Sequence, residues 1–176
     1  MKEPDFLGTP QPTLTLYLPH RPEGLAELID APDAGRLMEN NSNHWRKIVT
    51  LLAKVASPQE DWRSFRDDAL FAHTALCFTP HLEDVPGWHW IGGKDNLQRF
   101  NVEGLNAKRL RGAPEVALDA EKQVLLTPYP DYRQLSNATV AEIRKALGRS
   151  GFYAGTKKSI RKVTLCPHFS SAPGEC

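Results

Sequence analysis

The sequence predicts an α/β fold: a three-layer sandwich around a central, largely parallel sheet of four to five strands. Two observations carry this expectation. Short apolar or β-branched runs alternate with segments of helical period, and nearly every run is closed by proline or glycine. A strand–helix alternation of this kind favours parallel strands joined by crossovers, with both faces of the sheet covered.

The elements follow in order. Residues 1–12 hold three prolines and a glycine before any period begins and read as a loose arm. Residues 13–18 (TLTLYL) form the first strand, stopped by Pro19 and Pro22, and 23–30 can make a short helix. The clearest helix runs over 41–57. Ser42 is its N-cap, and Trp45, Ile48, Val49, Leu51, Leu52 and Val55 recur along one side until Pro58 ends it. A second helix near 58–70 leads into a buried strand over 73–78 (HTALCF), closed by Pro80. The aromatic strand 87–91 (GWHWI) breaks at Gly92-Gly93, and 94–101 can turn as a helix. Residues 102–114 are polar and basic without a period. The run 123–127 (QVLLT) is a further strand, and Ser136 or Asn137 caps a helix through Leu147 that stops at Gly148. Residues 159–165 (SIRKVTL) can add an edge strand. The domain is thus expected over 13–165, with 166–176 as a tail.

The 176 residues suit one domain with a proper core. The opening residues lack the apolar run of a signal peptide, and nothing approaches the ~18 apolar residues of a membrane helix. Three scattered cysteines, Cys77, Cys166 and Cys176, do not make a disulfide framework. These features predict a cytoplasmic protein without a membrane partner. Oligomeric state is not legible.

The net charge of +1 conceals an asymmetry. Between Ile143 and Gly174 stand Arg144, Lys145, Arg149, Lys157, Lys158, Arg161 and Lys162 with no acid, so the rest of the chain is net negative. The segment is a candidate surface for DNA or RNA, with Lys157, Lys158, Arg161 and Lys162 as its densest cluster. The alternative is a solvated end that balances an acidic body.

In parallel sheets ligands sit beyond the carboxyl ends of the strands, which selects the loops 20–21, 79–83, 92–96 and 128–133. The last reads Pro-Tyr-Pro-Asp-Tyr-Arg. Its Tyr129 and Tyr132 offer ring faces, Asp131 a carboxylate and Arg133 a guanidinium, which suits a base or a phosphate. The same residues would also make a stiff turn packed on the domain. Lys94, after Gly92-Gly93, can assist anion binding, although the spacing of a P-loop is absent. His73 with Cys77 and Cys166 with His168 lack partners at metal-ligand spacing, and no cofactor fingerprint is present, so neither metal nor cofactor is predicted. His89, between Trp88 and Trp90, reads as the outward member of an aromatic strand.

Three stretches in order, LYLPHRPEG, NSNHWRKIVTLL and VLLTPYPDYRQLS, together with GWHWIGGKDNLQRF, resemble the uracil-DNA glycosylase superfamily, in particular its mismatch-specific and hypoxanthine-type branches. The similarity spans about 13–147 and implies that family's sandwich. It places Asn43 at the family's N-x-F-W helix start and His20 in the loop that orients the hydrolytic water. Tyr129 or Tyr132 would then stack or wedge at a flipped base. The chain departs from the pattern at two places. No Asn or Asp stands in the first loop, and Pro-Tyr-Pro replaces the Pro-Ser pair of the second. The resemblance therefore implies a divergent or inactive glycosylase-like nucleic-acid-binding protein. The alternatives are a non-catalytic domain of bacterial type that binds a small anion or a protein, and a hydrolase built on His20 and Asp131.

Overall fold

The computed structural model describes residues 5–101 and 104–153. It contains β1 (Phe6–Gly8), β2 (Leu14–Tyr17), α1 (Leu25–Asp30), α2 (Ala34–Asn40), α3 (Asn43–Ala56), α4 (Trp62–Asp68) and α5 (Leu70–His73). There follow β3 (Thr74–Cys77), β4 (Trp88–Gly92), α6 (Lys94–Leu97), β5 (Lys108–Arg109), β6 (Ala117–Asp119), β7 (Val124–Thr127) and α7 (Asn137–Arg149). The edge strand expected over 159–165 and the four basic residues Lys157, Lys158, Arg161 and Lys162 lie outside the described residues.

The α/β class holds, but the sheet is larger than four to five strands. Among the described residues seven strands lie in the order β1-β3-β2-β4-β7-β6-β5. The central four, β3-β2-β4-β7, are parallel, while β1 joins β3, and β6 joins β7 and β5, in antiparallel fashion. The sheet is therefore mixed. The additional strands are two or three residues long, held by ladder bonds to a neighbour rather than by a local pattern.

The two faces of the sheet are covered unequally. Leu14, Leu16, Leu76, Trp88, Trp90 and Leu125 point to the face shared with α1, α2, α3 and α7, and form one large core with them. Helix α3 is its spine: Trp45, Ile48, Val49, Leu51, Leu52 and Val55 are buried, as their spacing predicts. The indole N–H of fully buried Trp90 donates to Thr127 Oγ1 at 2.7 Å, so its polar atom is not stranded. Tyr17, Cys77, Ile91 and Val124 point the other way. Among the described residues only Phe100, with partly buried Leu82, Leu97, Leu105 and Leu126 and the edge residue Phe6, packs against them.

Topology explains this thin face. From β2 the chain crosses to β3 on one side, then returns past β2 to β4 on the other. Right-handed crossovers in opposite directions lie on opposite faces. The first carries five helices, and the second, over 78–87, carries none. Among the described residues no helix is long and apolar enough to cross a membrane.

Candidate functional site

The reversal of strand order lies between β2 and β4, where open α/β sheets hold their ligands. Here that crevice is filled. The side-chain amide of buried Asn96 donates to the carbonyls of Tyr17 at 2.9 Å and Gly92 at 3.3 Å. Pro130 closes the remaining space: a Cβ on Gly92 would stand 2.8 Å from its Cδ. The Gly92-Gly93 pair thus serves a close approach of the loop after β7 to the end of β4. Gly93 has φ of 101°, which a side chain would strain.

Directly beside this plug, three rings meet. Tyr129, after β7, places its hydroxyl 2.8 Å from His44 Nε2 and 3.0 Å from His20 Nε2. His44 comes from the first turn of α3 and His20 from the loop after β2. The His44 and Tyr129 planes lie within 7° of parallel, and His20 leans on Trp45 with ring centroids 5.1 Å apart. Burial, with a lesser push from the Asp131 charge, raises the Tyr129 phenol to about 12. It stays protonated at neutral pH, so it donates to one imidazole and accepts an N–H from the other. Burial, and then the neighbouring His44, lower His20 below the ordinary histidine range. The arrangement can hold and pass one proton.

From these rings a strip runs along one edge of α3. Asp131 Oδ2 stands 3.7 Å from Lys47 Nζ. The backbone N–H of Arg133 holds the Asp131 carboxyl below its usual range, with Lys47 assisting. Tyr132, 44% exposed, is the one large exposed apolar side chain among the described residues. Lys47 and Lys54 lie 5.7 and 5.5 Å from its ring centre. Lys54 also lies 5.0 Å from the Trp62 ring, which Arg63 and Arg66 approach at 4.4 and 5.5 Å. Burial, and after it the Arg63 charge, lower the Lys54 ammonium. A hollow of 390 Å³ opens here between α3, α4 and α7, lined by Lys54, Trp62, Arg63 and Asn137 among others. Glu60 shares its rim. Arg144 is spent on structure, donating to the carbonyls of Lys54, Val55 and Ser57 at the end of α3.

The structure thus brings together His20, Tyr129, Asp131 and Tyr132 of the candidates read from sequence. Asn43 is exposed at the start of α3, one residue from His44, and the side chain of Arg133 is exposed as well. Lys94 lies apart, in a 430 Å³ hollow one strand over, with Arg109 and Glu115. His44, Lys47, Lys54, Trp62 and Arg63 were not read as site residues. Their signal was present, since 44, 47, 51 and 54 fall on one edge of a helix. Among the described residues, no three His, Cys, Asp or Glu side chains are grouped to hold a metal ion.

A family model described as a family of unknown function (DUF6942) matches residues 5–148. No curated protein and no solved structure matches the chain. The resemblance to uracil-DNA glycosylases is thereby corrected: the family that matches is a different one, and it spans the same stretches. The geometry accounts for the misleading likeness. Gly92-Gly93 and Tyr129-Pro130, which lie in two of the stretches that carried the resemblance, are complementary halves of a packing contact.

Proposed function

We propose that this chain, which belongs to that family of unknown function (DUF6942), binds single-stranded nucleic acid along the α3 strip. The observation that carries the reading is the placing of Lys47 and Lys54 beside exposed Tyr132, with Lys54 continuing to Trp62 and Arg63. Alternating cations and ring faces are what a single strand requires: phosphates take the cations, and bases stack on the rings. Asp131 and Glu60 on the same surface temper its charge, which favours a flexible strand able to thread between them over a rigid duplex.

Fluorescence anisotropy of labelled 12-nucleotide DNA and RNA strands at increasing salt tests the reading. Binding is expected to fall steeply with salt through counterion release, and Lys47→Ala and Lys54→Ala each to flatten the log–log slope by about 0.7. Tyr132→Ala is expected to cost about 1–3 kcal/mol, the scale of one stacked base. The basic residues Lys157, Lys158, Arg161 and Lys162 are tested together in the same way. Absence of binding at low salt ends the proposal, as does binding indifferent to Lys47, Lys54 and Tyr132.

The hydrogen bonds of His20, Tyr129 and His44 favour a second reading, acid–base chemistry at the end of this strip. Two imidazoles joined through a phenol can take a proton from one group and return it to another. Cleavage of a bound RNA strand that His20→Gln and His44→Gln each abolish, with binding retained, would establish it. Intact RNA after prolonged incubation would restrict the chain to binding.

A further inference from the structure

The thin face of the sheet carries a second site, unrelated to the strip. His89 projects from β4 on this face, and its Nδ1 lies 2.7 Å from the Tyr17 hydroxyl. The same hydroxyl oxygen accepts the backbone N–H of Glu83 at 2.9 Å. Burial raises the Tyr17 phenol well above its ordinary value, so the group keeps its proton. With its oxygen already accepting from Glu83, that proton goes to His89 Nδ1. The imidazole is left as the Nε2–H tautomer, with Nε2 taking no partner among the described residues.

His89 borders a hollow of 460 Å³. Leu82, Phe100, Leu105 and Val124 give it apolar walls, and Arg99 and Lys122 bring positive charge to it. Arg99 donates one N–H to Asn96 Oδ1 at 2.9 Å, which orients the guanidinium and leaves further donors. Of the neighbouring acids, Glu83 has one carboxylate oxygen engaged by Thr79 at 2.9 Å and His81 at 2.7 Å, and Asp119, beside Lys122, accepts the backbone N–H groups of Asn106 and Lys122. An oriented N–H, two cations and an apolar enclosure of this size make a site for a small organic anion. We infer that the hollow beneath His89 binds a small carboxylate with an apolar body, its head group met by His89 Nε2–H, Arg99 and Lys122.

Titration calorimetry with benzoate tests this, with benzylamine and acetate as the charge and body controls. Saturable binding of benzoate is expected, at least tenfold tighter than either control. Arg99→Gln and Lys122→Gln are each expected to weaken it about tenfold, the scale of a charge-assisted hydrogen bond. Leu105→Trp, which fills the hollow from its wall, is expected to abolish binding while leaving the thermal midpoint within a few degrees. Oligonucleotide binding along α3 should be unchanged in all three variants, which separates this site from the strip. No binding of benzoate, equal binding of benzylamine, or affinity unaffected by both Arg99→Gln and Leu105→Trp would each overturn the inference.

Discussion

Two tyrosines in this molecule hydrogen-bond to histidines, with opposite consequences. Tyr17 sits between one imidazole and one backbone N–H. The backbone can only donate, so the direction of the phenol proton is fixed and the network is a structural lock. Tyr129 sits between two imidazoles, His20 and His44, either of which can donate or accept. Its proton has two directions open to it, and the network has the connectivity that the proposed relay needs. The lock is buried under the thin face, and the relay stands half-buried at the strand ends. One backbone N–H is the difference between them.

The largest effect should come from breaking the lock. Tyr17→Phe strips two groups, the Glu83 N–H and His89 Nδ1, of their shared partner beside a fully buried side chain, which costs about 3 kcal/mol. Tyr129→Phe, in a wetter position, should cost about 1 kcal/mol. Urea denaturation of both variants measures the contrast, and equal losses would mean that the two networks are alike. Gly92→Ala sharpens it from the other side. Its new Cβ meets Pro130, so a loss of about 2 kcal/mol from overpacking is expected, with Tyr129 displaced and the Tyr17 lock intact. Histidine NMR would then show His20 and His44 resonances moved and that of His89 unmoved.

Much of the architecture was legible from the chain. β2, β3, β4, β7, α3 and α7 are long enough to repeat a period and to carry their own stops, as Pro19, Pro58, Pro80 and Pro128 do. β1, β5 and β6 are not, because strands of two or three residues owe their existence to a neighbour that the local sequence does not name. Helix α2 was missed for a related reason: it is seven residues long, and its buried residues Ala34, Leu37 and Met38 make a single stripe of one and a half turns. The site divides in the same way. His20 and Tyr129 follow from the rule that strand ends carry ligands. Their meeting with His44 depends on the rotation of α3 about its axis, set by the packing of its buried residues on the sheet. His89, read as the outward member of its strand, is instead half-buried on the thin face, where its ring meets the Tyr17 hydroxyl.

Proton uptake gives a smaller, graded test. Burial lowers both His20 and His89 below the ordinary histidine value, with His44 adding to the effect at His20. The unfolded chain then takes up protons first, near pH 6.5, while the folded sites remain neutral. Their contribution to stability is complete above that pH and is lost as the pH falls through the depressed folded values. The urea midpoint should therefore drop between pH 7.5 and 5.5. His20→Gln and His89→Gln should each make the drop shallower. A midpoint flat across this range would show that neither ring is held neutral by its site.

The smallest expected effect has the opposite sign. Thr15 is fully buried on the thin face, opposite His89 in register, and its Oγ1 has no partner among the described residues. A buried hydroxyl without a hydrogen bond opposes folding, and Val has the same shape without the polar atom. Thr15→Val should thus stabilise the chain by up to about 1 kcal/mol. The Tyr17 lock one pleat along does not use this hydroxyl, so the His89 resonance should not move. If Thr15→Val instead destabilises, the hydroxyl has a partner that binds at the thin face.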